Sequence, residues 1–300
     1  MAETEKKKKD KKSKAKEEDK KPVDSRKILL VTGANRGIGL EIIDTLLEKK
    51  TKLRLIMTAR NDELGQQKYN ELCEKYPEDK ERFFYHQLDI TNEESITELI
   101  NWIKTTFKKI DYLCNNAGVS NKGTDFNIET FNFTFGTNVY GTINFIDKML
   151  TNSVFNKQGK IILVTGKSSL SKIKDEKLMT KFKNAKNADD AIKLADSFKD
   201  SIENNTVDED GWYKNTFGVG TMIMNTYAKT VIKRREISKE QLSVYAVHPG
   251  WVKTEMGGEF AKVEVKDAAN QIIYLIELPD GINKEFQGKF FEECKVSNFD

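Results

Sequence analysis

Cysteine is scarce in this 300-residue chain: Cys73, Cys114 and Cys294 are odd in number and widely spaced. They make neither a disulfide framework nor a metal motif, which fits a reducing compartment. No apolar run approaches the roughly 20 residues that cross a membrane, so no membrane span is expected. The first residues lack the apolar core of a secretory signal and are too acidic for a transit peptide, which makes the cytosol the expected location. Hydrophobic residues reach only 38%, against 32% charged, yet the net charge is a modest +3. That charge is unevenly placed. Residues 1–27 hold eleven Lys and one Arg against seven acids, a net of +5, which leaves about −2 for the rest. The body of the chain therefore has no positive excess that calls for nucleic acid.

The basic end, "KKKKDKKSKAKEEDKK" at 6–21, has no aromatic residue and no aliphatic residue larger than Ala15. It cannot bury enough surface to offset its ordering entropy, so residues 1–25 are expected to be a disordered tail. Such a tail is either a solubilising leader or an electrostatic arm for an acidic protein or another anionic partner. The lack of Arg and aromatics in the run favours loose, salt-sensitive attraction over base reading. Residues 26–300 are expected to form a single domain.

What is there begins at "RKILLVTGANRGIGLEIIDTLLEKK" (26–50). Ile28 to Val31 make the continuous apolar run of a strand buried on both faces. Gly33, Gly37 and Gly39 follow, then a helical pattern through Leu40, Ile43, Leu46 and Leu47. A strand, a glycine turn and a helix start form an anion site, because unpaired backbone N–H groups point at whatever sits there. The next strand, "LRLIMTAR", ends in Arg60. A basic residue at that place accommodates the 2′-phosphate of NADP, where an acid would take the 2′-hydroxyl of NAD. Arg36, inside the glycine loop, approaches the same phosphate from the other side. A third strand brings Asp89 to its end, and a fourth, "IDYLC", runs into Asn115-Asn116-Ala117-Gly118. Strands alternating with helices such as "EESITELINWIKTTF" predict an α/β, Rossmann-like, doubly wound parallel sheet. Ligands of such sheets bind at the carboxyl ends of the strands, where these residues fall.

With those residues in view, the sequence resembles the short-chain dehydrogenases/reductases, most closely the monomeric NADPH-dependent carbonyl reductases. The carrying segments are "TGANRGIG" (32–39), "TAR" (58–60), "HQLDI" (86–90), "NNAG" (115–118), "TNVYGT" (137–142) and "HPGWVKTEMGG" (248–258). The resemblance implies that the loop from Gly33 to Gly39, Ile38 included, cradles NADP(H), with Asn35, Arg36 and Arg60 at its 2′-phosphate end. It implies that Asp89 and Ile90 flank the adenine, that Asn116, Ala117 and Gly118 line the cofactor, and that Pro249, Gly250, Val252 and Thr254 hold the nicotinamide end. No metal site is expected.

In the family, a Tyr gives a proton to the carbonyl oxygen, a Lys four residues later tunes it, a Ser orients the substrate and an Asn anchors a relay water. The spacing of four puts Tyr and Lys on one helix face. Asn138 matches the Asn. Aligning "GWYKNTFGVGT" leaves Phe217 at the Tyr position and Thr221 at the Lys position, and "GKIILVTGKSS" leaves Gly166 at the Ser position. Phe has no ionisable proton and Thr brings no cation. Ser168 and Ser169 are candidates to restore the hydroxyl, and Tyr213, one turn before Phe217, to restore the donor. His86 and His248 read as packed or solvent-facing, and Phe131, Phe133 and Phe135 as helix-face packing.

About forty residues separate the fifth strand from the altered helix, with an insertion at about 167–210. Ile192, Leu194 and Phe198 suggest short polar helices there. Carbonyl reductases of the resembled type carry a comparable insertion over the face through which many relatives pair, so no standard family dimer is expected. Two readings stand. One is a catalytically degenerate protein that keeps NADPH binding and serves as a scaffold, sensor or subunit of an assembly. The other is an active NADPH-dependent carbonyl reductase with a relocated proton donor.

Overall fold

The computed structural model describes residues 24–298 apart from Lys122 and Thr124. The basic run at 6–21 and nearly all of the expected tail lie outside the described residues. Strands and helices alternate as β1 (Lys27–Val31), α1 (Gly37–Glu48), β2 (Leu53–Ala59), α2 (Asp62–Lys75), β3 (Phe83–Gln87), α3 (Glu93–Thr106) and β4 (Ile110–Asn115). The chain continues through α4 (Ile128–Phe135), α5 (Thr142–Thr151) and β5 (Phe155–Val164), and then α6 (Glu176–Asn184) and α7 (Ala188–Glu203). It ends with α8 (Thr216–Val231), α9 (Arg235–Glu240), β6 (Ser243–His248), α10 (Val265–Glu277), β7 (Phe290–Glu292) and β8 (Lys295–Ser297).

The eight strands form one sheet in the order β3-β2-β1-β4-β5-β6-β7-β8, parallel throughout except for the antiparallel β7–β8 pair. Alternation along each strand splits the core into two layers. In β1, Ile28 and Leu30 pack on one face, while Leu29 and Val31 pack on the other. This is why the strand reads as an unbroken apolar run: neither face meets water. One layer carries α1 and α10, through Ile42, Leu46, Ile272 and Ile276. The other carries α3, α5 and α8, through Leu99, Ile146 and Ile223. The result is the expected doubly wound α/β sheet.

The segment 167–210 folds as α6 and α7. Phe198 of α7 sits 4.9 Å from the Trp212 ring and 5.6 Å from Phe135 of α4, so the insertion covers the outer side of α4 and α8. The three alternating phenylalanines part company here. Phe131 and Phe135 stack at 4.2 Å, one turn apart, whereas Phe133 is exposed. Residues two apart on a helix point to opposite sides, so all three cannot share a face.

Candidate functional site

Strand order reverses between β1 and β4, and a cleft of about 1120 Å³ opens at the carboxyl ends of the strands there. This is where a doubly wound sheet leaves room for a ligand. The glycine turn forms one wall. Gly33 and Gly37 have φ of +61° and +55°, the left-handed region in which a side chain is strained. Gly39 lies behind the wall: a Cβ there would meet Asn116 Nδ2 at 2.6 Å and Gly33 O at 2.7 Å. Its absence allows Asn116 to donate to the carbonyls of Thr32 (3.0 Å) and Gly33 (3.2 Å). Thr32 Oγ1 in turn accepts from the amides of Asn116 and Ala117. These bonds fasten the end of β4 to the glycine turn. Helix α1 opens with no side-chain cap and no acid in its first turn, so no carboxylate of the chain caps its first N–H groups, which suits them to an anion.

The cleft brings together Gly33, Asn35, Arg36, Gly37 and Ile38 of this loop, Arg60 past β2, Asp89 and Ile90 past β3, and Asn116, Ala117 and Gly118 past β4. Pro249, Gly250, Val252 and Thr254, after β6, form the opposite wall. The two arginines differ. Arg60 has no side-chain partner among the described residues, while Arg36 Nη1 donates to Glu255 Oε2 across the cleft. Asp89 turns its carboxylate to the Thr91 amide and hydroxyl at 2.9 and 2.7 Å, closing the turn into α3.

At the far end, Asn138, Gly166, Phe217 and Thr221 all line the cleft. A Cβ at Gly166 would meet Thr221 Oγ1 at 3.2 Å and Phe217 Cε1 at 3.6 Å, so the three positions converge. Phe217 is 41% exposed, unlike its neighbours on α8, and Thr221, one turn on, is 7% exposed. Asn138 sits in a π-helical turn at Gly136–Gly141 between α4 and α5. Its Oδ1 accepts from the Val119 amide at 2.8 Å and its Nδ2 donates to the Val119 carbonyl at 2.7 Å, so it clamps the chain leaving β4.

The candidate replacements, Tyr213 for the donor and Ser168 and Ser169 for the hydroxyl, lie outside the cleft lining. Helix α8 starts only after its cap, Asn215, which accepts from the Gly218 amide at 2.6 Å. Tyr213 therefore precedes the helix. Its ring lies 4.6 Å from Lys172 Nζ and edges against Gly218, and it does not line the cleft. Ser168 is buried with an unpartnered Oγ, also facing Gly218. Ser169 caps a short turn at Leu170–Lys172. No tyrosine lines the cleft among the described residues.

Sequence reasoning passed over Asn225, Lys167 and Glu255, and gave His248 no part in the cleft. Asn225, two turns beyond Phe217 on α8, is buried. It accepts from Thr165 Oγ1 at 2.7 Å and donates to the Gly166 carbonyl at 3.1 Å, fixing the end of β5 to the helix. Its spacing from Phe217 and Thr221 by fours was the available signal. His248 is neither simply packed nor solvent-facing: it lines the cleft, and its Nδ1 has no partner. Burial holds its imidazole below the ordinary value, helped by Lys167 and opposed by the Glu292 carboxylate. Lys167 reaches the cleft and pairs with Glu292 at 2.6 Å. Glu255 is the partner of Arg36. The described residues contain no group of three or more potential metal ligands and no helix long and apolar enough to cross a membrane.

Comparison with known proteins agrees with this geometry. A family model described as short chain dehydrogenase matches residues 27–188. Mouse carbonyl reductase 1 (NADPH) is 30% identical over 281 residues, covering 91% of this chain and 98% of its own, and the human protein of that name is 28% identical with the same coverage. Among solved structures, salutaridine reductase from Papaver somniferum has a TM-score of 0.78 at 22% identity, covering 89% of this chain and 100% of its own. An NADPH-bound carbonyl reductase from chicken fatty liver has a TM-score of 0.62 at 20% identity, covering 91% and 98%. A match that runs from β1 into α7, on a sheet whose cleft carries the glycine turn and the Asn116 fastening, makes this chain a member of the short-chain dehydrogenase family.

Proposed function

We propose that this protein binds NADP(H) in the cleft and does not reduce carbonyls by the family's Ser/Tyr/Lys route, serving instead as a binding protein: a scaffold, a sensor or a subunit of an assembly. One observation carries the reading. Gly166, Phe217 and Thr221 meet at one point of the cleft wall, so the hydroxyl, the proton donor and the cation are lost from one place together. General acid–base help is worth about 10²–10⁴ in rate, and losses within one cooperating unit do not add.

The residues present fit the dinucleotide. The glycine turn leaves the room a Cβ would fill, the start of α1 is uncapped, and the Arg60 side chain has no partner among the described residues. Arg60 and Arg36, with Asn35, would hold the 2′-phosphate end, Asp89 and Ile90 the adenine, and Asn116 to Gly118 the middle. Pro249, Gly250, Val252 and Thr254 would hold the nicotinamide end. Bound there, the cofactor supplies a hydride donor. Of the family's catalytic positions around it, Asn138 is already committed to Val119, and the ring of Phe217 excludes water but delivers no proton.

The curated relatives named carbonyl reductase support the cofactor class, and they also support the other reading, an active reductase with a relocated donor. That Tyr213 precedes α8 and does not line the cleft supports the first reading over a donor at that residue. The cover of α4 and α8 by α7 supports a monomer, and the unpaired Cys73, Cys114 and Cys294 support a cytosolic location. A docking role for the basic tail toward an acidic partner belongs to the same proposal. It is checked by comparing partner capture by the full chain and by residues 25–300 at low and high salt.

The test is a fluorescence titration with NADPH followed by a panel of quinones and aldehydes. Binding without loss of nicotinamide absorbance is the expected result. Steady turnover would assign the protein to the reductases, and absence of binding would remove the cofactor from the account.

A further inference from the structure

We infer that Glu255 is a built-in competitor for the anion that Arg36 would bind, and so sets how strongly the cleft prefers a 2′-phosphorylated dinucleotide over one lacking that phosphate. The inference rests on the reading of the cleft as an NADP(H) site. It starts from the unequal states of the two arginines. The Arg60 side chain is unpartnered among the described residues, whereas Arg36 is held by a carboxylate that lies 219 positions away in sequence.

The carboxylate is not there by the accident of a loose loop. Residues 251–263 close on themselves: the Lys262 and Val263 amides both donate to the Trp251 carbonyl, the Lys253 amide donates to Val263, and Val252 bridges Val263. The Gly257 amide donates to Thr254 Oγ1 at 3.1 Å. Thr254 Cγ2 approaches to 3.3 Å from where a Cβ of Gly37 would lie. This unit therefore rests against the glycine loop with Glu255 directed at Arg36.

Both ends of the pair are about three-fifths exposed. Such a pair is weak and yields to a better anion. A phosphate dianion offers more charge and a bidentate set of oxygens to the guanidinium, so it displaces the carboxylate from Arg36. The other acids of the cleft, Glu41 and Asp89, do not pair with Arg36, and Asp89 is engaged with Thr91. The preference for a 2′-phosphate is thus lower than two open arginines would give. Glu255 sets the discount.

The experiment is calorimetric titration of the full chain with NADP⁺ and with NAD⁺, for the wild type, Glu255→Gln, Arg36→Ala and the double variant. Removing the competitor is expected to raise the ratio of NADP⁺ to NAD⁺ affinity about two- to fivefold, the ceiling for an exposed pair. The gain should shrink in concentrated salt and vanish when Arg36 is already Ala. Equal tightening of both nucleotides, or no change, overturns the inference while leaving the cofactor reading intact. A wild type that binds neither nucleotide overturns both.

Discussion

Restoring the three lost groups should create a reductase in measurable steps. In Phe217→Tyr the new hydroxyl enters the cleft from a ring already 41% exposed, so the fold should change by no more than about 0.5 kcal/mol. Gly166→Ser is different. Its Cβ would sit 3.2 Å from Thr221 Oγ1 and 3.3 Å from Thr221 Cγ2, tighter than ordinary contact, which predicts a cost of about 1 kcal/mol in the wild-type background. Thr221→Lys removes one of those two γ atoms, so the cost should fall when the two changes are combined, a coupling that a double-mutant cycle reads directly. In activity, the singles should stay near background. Phe217→Tyr with Thr221→Lys, and the triple variant, should gain about 10²–10⁴ in kcat/KM for an o-quinone, the value of a positioned and tuned proton donor. The assay follows nicotinamide absorbance at saturating NADPH. The reasoning is refuted by a triple variant that folds, binds NADPH and remains at background, or by a wild type already as fast as the triple.

Four further outcomes follow from the same contacts. Gly39→Ala forces a Cβ to within 2.7 Å of the Gly33 carbonyl and should cost about 1–3 kcal/mol and sharply weaken NADPH binding, seen by urea unfolding and titration. Asn225→Ala leaves the Thr165 hydroxyl and the Gly166 carbonyl unpaired and should cost about 1–3 kcal/mol in the same unfolding measurement. Arg60→Ala should weaken NADPH by about tenfold with little change for NADH, as one lost charge-assisted contact to phosphate requires. At the foot of the sheet, burial opposes ionisation of Asp280. Hydrogen bonds from Tyr112 and Lys160 and the charge of Lys160 outweigh burial, so its carboxyl is held below 3.8. A lowered folded value means this stabilisation is present above about pH 3.8 and is lost as pH falls through the folded value. Asp280→Asn should therefore flatten the decline of the urea midpoint over that acidic interval.

The sheet was legible because burial on both faces writes itself as an unbroken apolar run at Ile28–Val31 and shorter ones at Leu55–Met57 and Tyr112–Cys114. Parallel strands present their carboxyl ends on one side, so Arg60, Asp89 and Asn116 were expected together before any contact was known. That Phe217 and Thr221 share a helix face followed from their spacing, and that Gly166 joins them was what the family resemblance implied. Other features carried no local pattern. The start of α8 depends on the Asn215 cap, and that one boundary keeps Tyr213 off the helix and out of the cleft. The π-helical turn around Asn138 needs Gly141, where a Cβ would come within 2.7 Å of the Gly136 carbonyl, a constraint of folded geometry alone. Arg36 with Glu255, and His248 beside Lys167 and Glu292, pair residues far apart in the chain, beyond any periodicity. The terminal pair β7 and β8, three residues each, is too short for alternation to register.

The most direct measurement is a rapid-mixing single turnover, in which protein saturated with NADPH meets excess o-quinone and the nicotinamide absorbance is followed. The account predicts a bound cofactor whose signal decays no faster than free NADPH with the same quinone. A fast burst equal to the protein concentration would contradict it.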